Sequence, residues 1–358
     1  MYFTAGIRHT QYHLSFYANT IILFSFHTVL LPHTPLIPPP FFTPTGTEFK
    51  VPRKYQFLKL LGKGAYGVVI ACKNMETGQK VALKKITPMS ATATDGKHTL
   101  REIRLCRWLG KHPNIISLKD VIVDIADDTL YVALELYDTD LHKIIQSPQP
   151  LGDAHLKHFL YQLLRGLRFA HTYGVIHRDL KPANLLVTKN CDLCISDFGL
   201  ARQMPGAPGA PPVVSGSAAT TMTEHVVTRW YRAPELMLSA DGHYTPAIDL
   251  WSVGCILAEL LGRGPLFAGK DFMETIKMQI DILGTRPDDE LSYIRSQQAL
   301  DFLVSIPKRT TVPWKTLYPD ASEKVLDLLD KLLQFSALKR ITVGEEKMLN
   351  HMTTRWCI

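Results

Sequence analysis

The chain has 358 residues, of which 46% are hydrophobic and 20% charged, and a formal net charge of +7. This composition is that of a folded globular protein and argues against a disordered one. The basic residues are spread along the chain and form no tract of five or six, so we expect a solvated surface and no nucleic-acid partner. The six cysteines are scattered. Cys191 and Cys194 alternate with apolar neighbours, which favours a strand over a metal or redox pair.

The first 50 residues differ from the rest, and we predict that residues 1–50 form a separate apolar and proline-rich extension. Between Arg8 and Glu48 there is no acidic or basic residue other than histidine, and residues 14–31 are mostly apolar. An apolar stretch of this length lies near the lower limit for a membrane span. Three interpretations stay open: a disordered or non-native extension, a membrane anchor that leaves the catalytic part in the cytosol, and a cleaved signal.

From Tyr55 onward the pattern is regular. Short apolar runs broken by glycines predict antiparallel strands over residues 55–88, a helix follows over 97–109, and two further strands are predicted. These two strands cover residues 115–123 and 129–136.

The second part of the chain is predicted to be helical. Leu156, Phe159, Leu160, Leu163, Leu164 and Leu167 follow the spacing of an amphipathic helix. Further helices are predicted at 248–262, 272–283 and 322–334. A small sheet followed by a helical body predicts an α+β fold with two lobes. We place an antiparallel β-sheet N-lobe at 51–137, a larger helical C-lobe at 138–343, and an atypical tail at 344–358.

A glycine-rich segment begins the regular part of the chain. It fits the pattern G-x-G-x-x-G-x-V and consists of Gly62, Lys63, Gly64, Ala65, Tyr66, Gly67, Val68 and Val69. Glycines let a hairpin lie close over phosphates, so that backbone N–H groups meet the anion. A dinucleotide-binding fold uses similar glycines, but there they open a helix. Here a second strand follows, which favours a hairpin that covers ATP.

A lysine and a glutamate follow in the order that such a site requires. In Val81-Ala82-Leu83-Lys84, the lysine ends an apolar strand and can meet the α- and β-phosphates. Glu102 lies on the predicted helix and can hold Lys84 by an ion pair. Each charge alone is typical of a protein surface, but their order after the glycine loop favours a catalytic pair.

Residues 177–184 carry the strongest pattern, H-R-D-L-x-x-x-N. Asp179 can accept or orient the proton of an incoming hydroxyl group, and Lys181 can neutralise the moving phosphoryl group. Asn184 and the later Asp197, in Asp197-Phe198-Gly199, can bind Mg²⁺. Phosphoryl transfer requires positioning and charge neutralisation, which these side chains supply. The pattern therefore predicts an enzyme that uses ATP and Mg²⁺.

These motifs resemble those of eukaryotic protein kinases of the mitogen-activated class, over residues 50–343. More particular likenesses are Thr139-Asp140-Leu141, residues 227–235, residues 249–255 and an insert over residues 269–314. Cyclin-dependent kinases are the nearest alternative, but they lack this insert. The resemblance implies a monomeric serine/threonine kinase of intracellular signalling that acts on Ser/Thr-Pro sites in protein substrates, in the cytoplasm and also the nucleus. It also implies an upstream activating kinase, a phosphatase, Leu134 as the gatekeeper, and Glu135 to Tyr137 as the adenine-binding hinge.

The activation lip departs from the pattern of this family. The family carries Thr-x-Tyr, whereas this chain reads Thr223-Glu224-His225. Thr223 can gain a phosphate, and the resemblance places Arg101, Arg178 and Arg202 where relatives gather a phosphothreonine. We therefore expect activation by one phosphate on Thr223, or by autophosphorylation.

The end of the sequence departs as well. Arg340 is predicted to pair with Glu235, but residues 344–358 show neither the family's final helix nor an acidic docking cluster. We expect this ending to expose apolar surface and to lower stability. A catalytically weak product that still binds nucleotide or partners, as a scaffold or inhibitor, is thus the alternative to an active kinase.

Overall fold

The computed structural model of the chain describes residues 41–42, 46–64, 67–89, 92–204, 229–239 and 245–343. The chain divides after Tyr137 into two units. In its described residues the first unit consists of β-strands and one helix, and the second is mainly helical, which confirms the predicted α+β fold.

The described elements of the amino-terminal unit are β1 (Phe41–Phe42), β2 (Phe49–Lys50), β3 (Tyr55–Gly64), β4 (Gly67–Asn74), β5 (Lys80–Ile86), α1 (Ala93–Leu109), β6 (Leu118–Asp124) and β7 (Thr129–Glu135). Five of the strands form an antiparallel sheet in the order β3-β4-β5-β7-β6. Helix α1 begins four residues before the predicted start, because the side chain of Thr92 accepts a hydrogen bond from the backbone N–H of Asp95 and caps the helix.

Alternate residues of β7, which lies between β5 and β6, face two separate cores. Leu130 and Val132 pack with Leu100 and Ile103 of α1. Tyr131 and Ala133 belong to the other core, which contains buried side chains of β3, β4 and β5. The sheet is therefore covered on one face by α1.

The opposite face is covered by the chain that precedes β3. Phe49 and Val51 are fully buried there. The backbone N–H of Lys50 donates to the hydroxyl of Tyr131 over 2.8 Å, and Lys85 donates to the carbonyl of Glu48 over 2.6 Å. The predicted boundary between residues 50 and 51 thus falls inside this packing. Residues 1–40 and 43–45 lie outside the described part of the chain.

The carboxy-terminal unit is organised around a buried helix, α5, in which every residue from Ile248 to Leu260 is buried. The helices of this unit are α2 (Leu141–Gln146), α3 (Asp153–Thr172), α4 (Pro234–Leu238), α5 (Ala247–Gly262), α6 (Phe272–Leu283), α7 (Asp288–Leu291), α8 (Gln297–Ser305), α9 (Trp314–Leu317) and α10 (Glu323–Leu332). The four helices predicted for this unit are present as α3, α5, α6 and α10. Each begins within three residues of its predicted first residue and ends within five residues of its predicted last residue.

Short strands flank the loops of this unit. They are β8 (Thr139–Asp140), β9 (Val175–Ile176), β10 (Leu185–Val187), β11 (Leu193–Ile195) and β12 (Arg202–Gln203). Cys194 lies in β11 as predicted, but Cys191 lies in the turn before it, with a φ of 65°. The strand prediction for Cys191 was therefore wrong, and both thiols are free.

No helix in the described part of the chain has the length and apolar character needed to cross a membrane. The apolar stretch 14–31 lies outside that part, so the structure does not bear on it.

Candidate active site

The glycine-rich residues form the hairpin between β3 and β4, in which Gly64 pairs with Gly67. Gly67 has a φ of 123°, and a Cβ atom there would lie 1.9 Å from the carbonyl oxygen of Lys85. Only glycine fits this position, since the conformation is one that other residues rarely adopt and β5 approaches closely. Ala65 and Tyr66 of the predicted loop lie outside the described residues.

The predicted ion pair of the amino-terminal unit is present. The Nζ atom of Lys84 lies 3.1 Å from Oε2 and 3.4 Å from Oε1 of Glu102. Lys84 lies on β5 opposite Val69 of β4, and Glu102 lies on α1. The pair thus joins the sheet to the helix that covers it.

The residues predicted to meet the adenine lie on β5, on β7 and directly after β7. Ala82 of β5 and Leu134 of β7 are direct cross-strand partners. Leu134 packs against the core that α1 shares with the sheet. Glu135 donates its backbone N–H to the carbonyl of Ser117, and Tyr137 ends the unit.

Residues 177–184, which we call the catalytic loop, bring together three of the predicted side chains in the carboxy-terminal unit. The Nζ atom of Lys181 lies 2.8 Å from Oδ2 of Asp179. The Nδ2 atom of Asn184 donates to the same oxygen over 3.2 Å and to the backbone carbonyl of Asp179 over 2.8 Å. One carboxylate oxygen of Asp179 is therefore held by a cation and an amide.

A hairpin brings Asp197 to this loop. Leu185 of β10 pairs with Ile195 of β11, and the carbonyl of Asn184 accepts bonds from the N–H and the hydroxyl of Ser196, each over 2.9 Å. Asp197 follows directly, in the left-handed conformation with a φ of 64°. This conformation costs a non-glycine residue free energy and is typical of functional positions.

Asp249, at the start of α5, fixes the backbone of the catalytic loop. Its carboxylate accepts the N–H groups of His177 and Arg178, each over 2.8 Å, and lies 2.8 Å from Nε2 of His171. Burial by itself would raise the pKa of Asp249, but the hydrogen bond and electrostatic attraction of His171 and the N–H of Arg178 outweigh it and hold the pKa below its ordinary value of 3.8. Asp249 therefore remains a carboxylate in the core.

His177 connects the catalytic loop to the segment that carries Asp197. Its Nδ1 accepts the N–H of Asp179 over 3.3 Å, so Nε2 carries the proton and donates to the carbonyl of Ser196 over 2.9 Å. The ring also packs edge-on against Phe198, with 4.8 Å between centroids. One imidazole thus orients both acidic residues of the site.

The three arginines of the predicted phosphate site lie in both units. Arg101 lies on α1, next to Glu102. In the carboxy-terminal unit, Arg178 has a φ of 70°, and Arg202 pairs across strands with Ile176, two residues before Arg178. Thr223 and His225 lie outside the described residues.

The predicted pair of Arg340 and Glu235 is present and buried. The guanidinium binds both carboxylate oxygens, over 2.6 and 3.0 Å, and lies 5.1 Å from the ring centroid of Trp251. This bidentate geometry is the strong form of such a pair.

The motif over residues 249–255 predicted no role for the carboxylate of Asp249, and no motif indicated His171 or Ser196. A signal existed for Asp249, because it and Glu259 are the two charged residues in a 16-residue apolar helix. A charge in such a helix is expected to be buried and paired. The partners of Ser196 leave no comparable signal in the sequence.

Comparisons with known proteins identify the family. A model of the protein kinase domain matches residues 55–353, so the class defined by the fold and the site is that of the protein kinases. The chain is 46% identical to Mitogen-activated protein kinase 3 of Oryza sativa subsp. japonica over 302 residues, 84% of this chain and 78% of that protein. It is 46% identical to Mitogen-activated protein kinase 4 of Arabidopsis thaliana over 304 residues, 84% of this chain and 77% of that protein.

A third relative is Extracellular signal-regulated kinase 1 of Dictyostelium discoideum, with 46% identity over 303 residues. The match covers 84% of this chain, but the chain spans only 55% of that protein. The chain belongs to the mitogen-activated protein kinase family, and it is an ATP-dependent serine/threonine protein kinase.

Proposed function

We propose that this kinase transfers the γ-phosphoryl group of ATP to serine or threonine followed by proline in protein substrates, and that one phosphate on Thr223 activates it. The observation that supports this most is the arrangement around Asp179, whose carboxylate is held by Lys181 and Asn184. We place its signalling role in the cytoplasm and the nucleus, as a monomer that meets an upstream kinase and a phosphatase.

Asp179 is the residue that meets the acceptor hydroxyl. Because its Oδ2 is engaged by Lys181 and Asn184, Oδ1 is the oxygen that accepts the proton or orients the hydroxyl. The ammonium group of Lys181 neutralises negative charge that develops on the transferred phosphoryl group. These contacts hold the carboxylate of Asp179 in one orientation, and such positioning lowers the entropic part of the barrier.

Asn184 and Asp197 suit Mg²⁺. The amide nitrogen of Asn184 is committed to Asp179, which leaves its carbonyl oxygen for a cation. Together with the carboxylate of Asp197, the set consists of hard oxygen donors, which Mg²⁺ prefers. When bound, the ion neutralises the phosphates of ATP. Ser196 holds Asn184 next to the start of the Asp197 segment.

In the amino-terminal unit, the glycine hairpin and Lys84 bind the phosphates of ATP, and Ala82, Leu134 and the hinge bind its adenine. Glu102 keeps the ammonium group of Lys84 oriented. A lysine held by a carboxylate loses less conformational freedom when it binds a phosphate, which favours the bound state.

Activation by one phosphate follows from the chemistry of the lip. A phosphothreonine offers oxygens that arginines bind strongly, and Arg101, Arg178 and Arg202 supply guanidinium groups. His225 stands where the family has a tyrosine, and its side chain has no hydroxyl group that an upstream kinase could phosphorylate. We therefore expect Thr223→Ala to abolish activation, and His225→Ala to leave it in place.

The test of the transfer reaction uses the full chain with ATP, Mg²⁺ and two peptides that differ only in proline or alanine after the serine. We expect transfer to the proline peptide to exceed that to the alanine peptide, and Asp179→Ala to lower the rate about 10²–10⁴-fold. Asp301→Ala, on the exposed side of α8, is the matched control. ATP binding without transfer, even after treatment with an upstream kinase, would instead support a binding protein.

A further inference from the structure

Helix α5 holds a second segment beside the catalytic loop. Asp249 binds the backbone of His177 and Arg178, and three residues later the hydroxyl of Ser252 donates to the carbonyl of Tyr231 over 2.8 Å. Residues three apart lie on one face of a helix. Residues 229–233, which we call the anchored segment, therefore lie next to the anchor of the catalytic loop.

Side chains of the anchored segment are tied down as well. The hydroxyl of Tyr231 donates to Oε2 of Glu259 over 2.6 Å, and both groups are buried. The indole N–H of Trp230 donates to the carbonyl of Gly269 over 3.1 Å. The segment has no helix or strand ladder to hold it, so these bonds determine its conformation.

Gln279 of α6 provides the next contact. Its Nε2 donates to the carbonyl of Arg232 over 3.2 Å, and the side chain is fully buried. The carbonyls of two successive residues, Tyr231 and Arg232, are thus held from two helices. The two held carbonyls fix the orientations of the two peptide planes that flank Arg232.

The other end of the Gln279 side chain is unusual. Its Oε1 is buried and has no hydrogen-bond partner among the residues that the structure describes. A buried acceptor without a partner is unfavourable, and an apolar side chain of the same size would avoid that cost. An amide at this position is therefore explained by its donor nitrogen and by what that nitrogen holds.

We propose that Gln279 is a positioning residue for the protein substrate, because it holds the anchored segment in the conformation that accepts an extended peptide beside Asp179. This inference rests on the proposed function of the site. A fixed, irregular segment next to a catalytic aspartate lowers the cost of ordering a peptide there. ATP gains little from it, since its predicted contacts are the glycine hairpin, Lys84 and the hinge.

The experiment compares the full chain with Gln279→Met, which keeps the length of the side chain and removes the amide. We expect the KM for a Ser-Pro peptide to rise about three- to tenfold, as for one lost hydrogen bond. The KM for ATP should change by less than about twofold, within the spread of an indirect effect. The melting temperature should change little, because removal of the unpartnered acceptor offsets the lost bond to the carbonyl of Arg232.

Two further variants separate positioning from general damage. Tyr293→Phe removes another buried polar atom that has no partner in the described part of the chain. Because this hydroxyl makes no hydrogen bond to the anchored segment, its removal should leave the peptide KM unchanged. Tyr231→Phe acts on the same segment as Gln279→Met. The effects of these two should therefore be non-additive, whereas Tyr293→Phe and Gln279→Met should add.

Three results would overturn the inference: an unchanged peptide KM, a parallel rise of both KM values, or a lower melting temperature with additive effects in every pair. Calorimetric titration of the same peptide into the wild type and Gln279→Met keeps the test independent of turnover. If the wild type transfers no phosphate yet binds peptide more tightly than the variant, the proposed function fails and the positioning role stands.

Discussion

The two units hold their functional side chains in different ways. In the amino-terminal unit, Lys84 and Glu102 form a partly buried ion pair between the side chains of β5 and α1. In the carboxy-terminal unit, Asp249 is fully buried and binds two backbone N–H groups and His171, so the loop around Asp179 is held at several points.

This difference suggests different tasks. A single ion pair between a sheet and a helix contributes little free energy and can be made or broken at small cost. A buried carboxylate with three partners is costly to disrupt. We infer that the catalytic loop is permanently organised, whereas the position of α1 is the adjustable part of the enzyme.

The largest effect is expected from Asp249→Asn. The amide group cannot accept both backbone N–H groups, and it leaves His171 without its carboxylate. We expect a loss of about 3–5 kcal/mol in the free energy of unfolding, together with a fall in kcat. Urea denaturation and phosphate-transfer assays measure both. Asp301→Asn, on the exposed side of α8, should remain within about 0.5 kcal/mol of the wild type; a similar result for Asp249→Asn would refute the anchoring role.

The pH dependence of stability tests the same anchor. The pKa of Asp249 in the folded protein lies below 3.8, its ordinary value. Its charge therefore stabilises the fold fully above about pH 5, and this contribution is lost as the pH falls through 3.8 towards the folded pKa. The difference in unfolding free energy between the wild type and Asp249→Asn should shrink as the pH falls below that range. A constant difference at all pH values would contradict the lowered pKa.

A smaller effect on stability is expected from Glu102→Gln. Because the pair with Lys84 is partly exposed and the amide that replaces the carboxylate still offers an oxygen to the ammonium group, we expect a change of no more than about 1 kcal/mol in the free energy of unfolding. The misplaced lysine should still lower phosphate transfer, by up to about 10²-fold. Loss of stability as large as that of Asp249→Asn would remove the distinction between the two units. The reverse control, Lys84→Met, should show the same pattern.

The smallest effect concerns the reactivity of two buried thiols. Cys106 lies on α1 and Cys194 on β11, and they are 1% and 0% exposed. If α1 moves away from the sheet more readily than β10 and β11 separate, Cys106 should be alkylated faster than Cys194 under native conditions. Iodoacetamide labelling followed by peptide mapping measures both rates. Equal rates would mean that α1 is as firmly held as the catalytic hairpin.

Much of the fold could be predicted because its signals are local. The periodic leucines of α3 and the alternating residues of β5 and β7 reflect which side of each element is buried. The boundaries were less accurate, since the start of α1 depends on the cap at Thr92. The prediction for Cys191 was wrong because an alternation of apolar residues does not reveal a turn residue with a positive φ.

The sequence by itself determined which chemical groups this kinase carries: the glycine hairpin, Lys84, Asp179, Asn184 and Asp197 stand in motifs of fixed spacing. Only the tertiary structure showed what holds them. Asp249 meets His177 across 72 residues, and Gln279 meets Arg232 across 47. Such partners are chosen by the packing of whole helices, which no short pattern in the sequence records. The chemistry is thus local in the chain, whereas its positioning is a property of the fold.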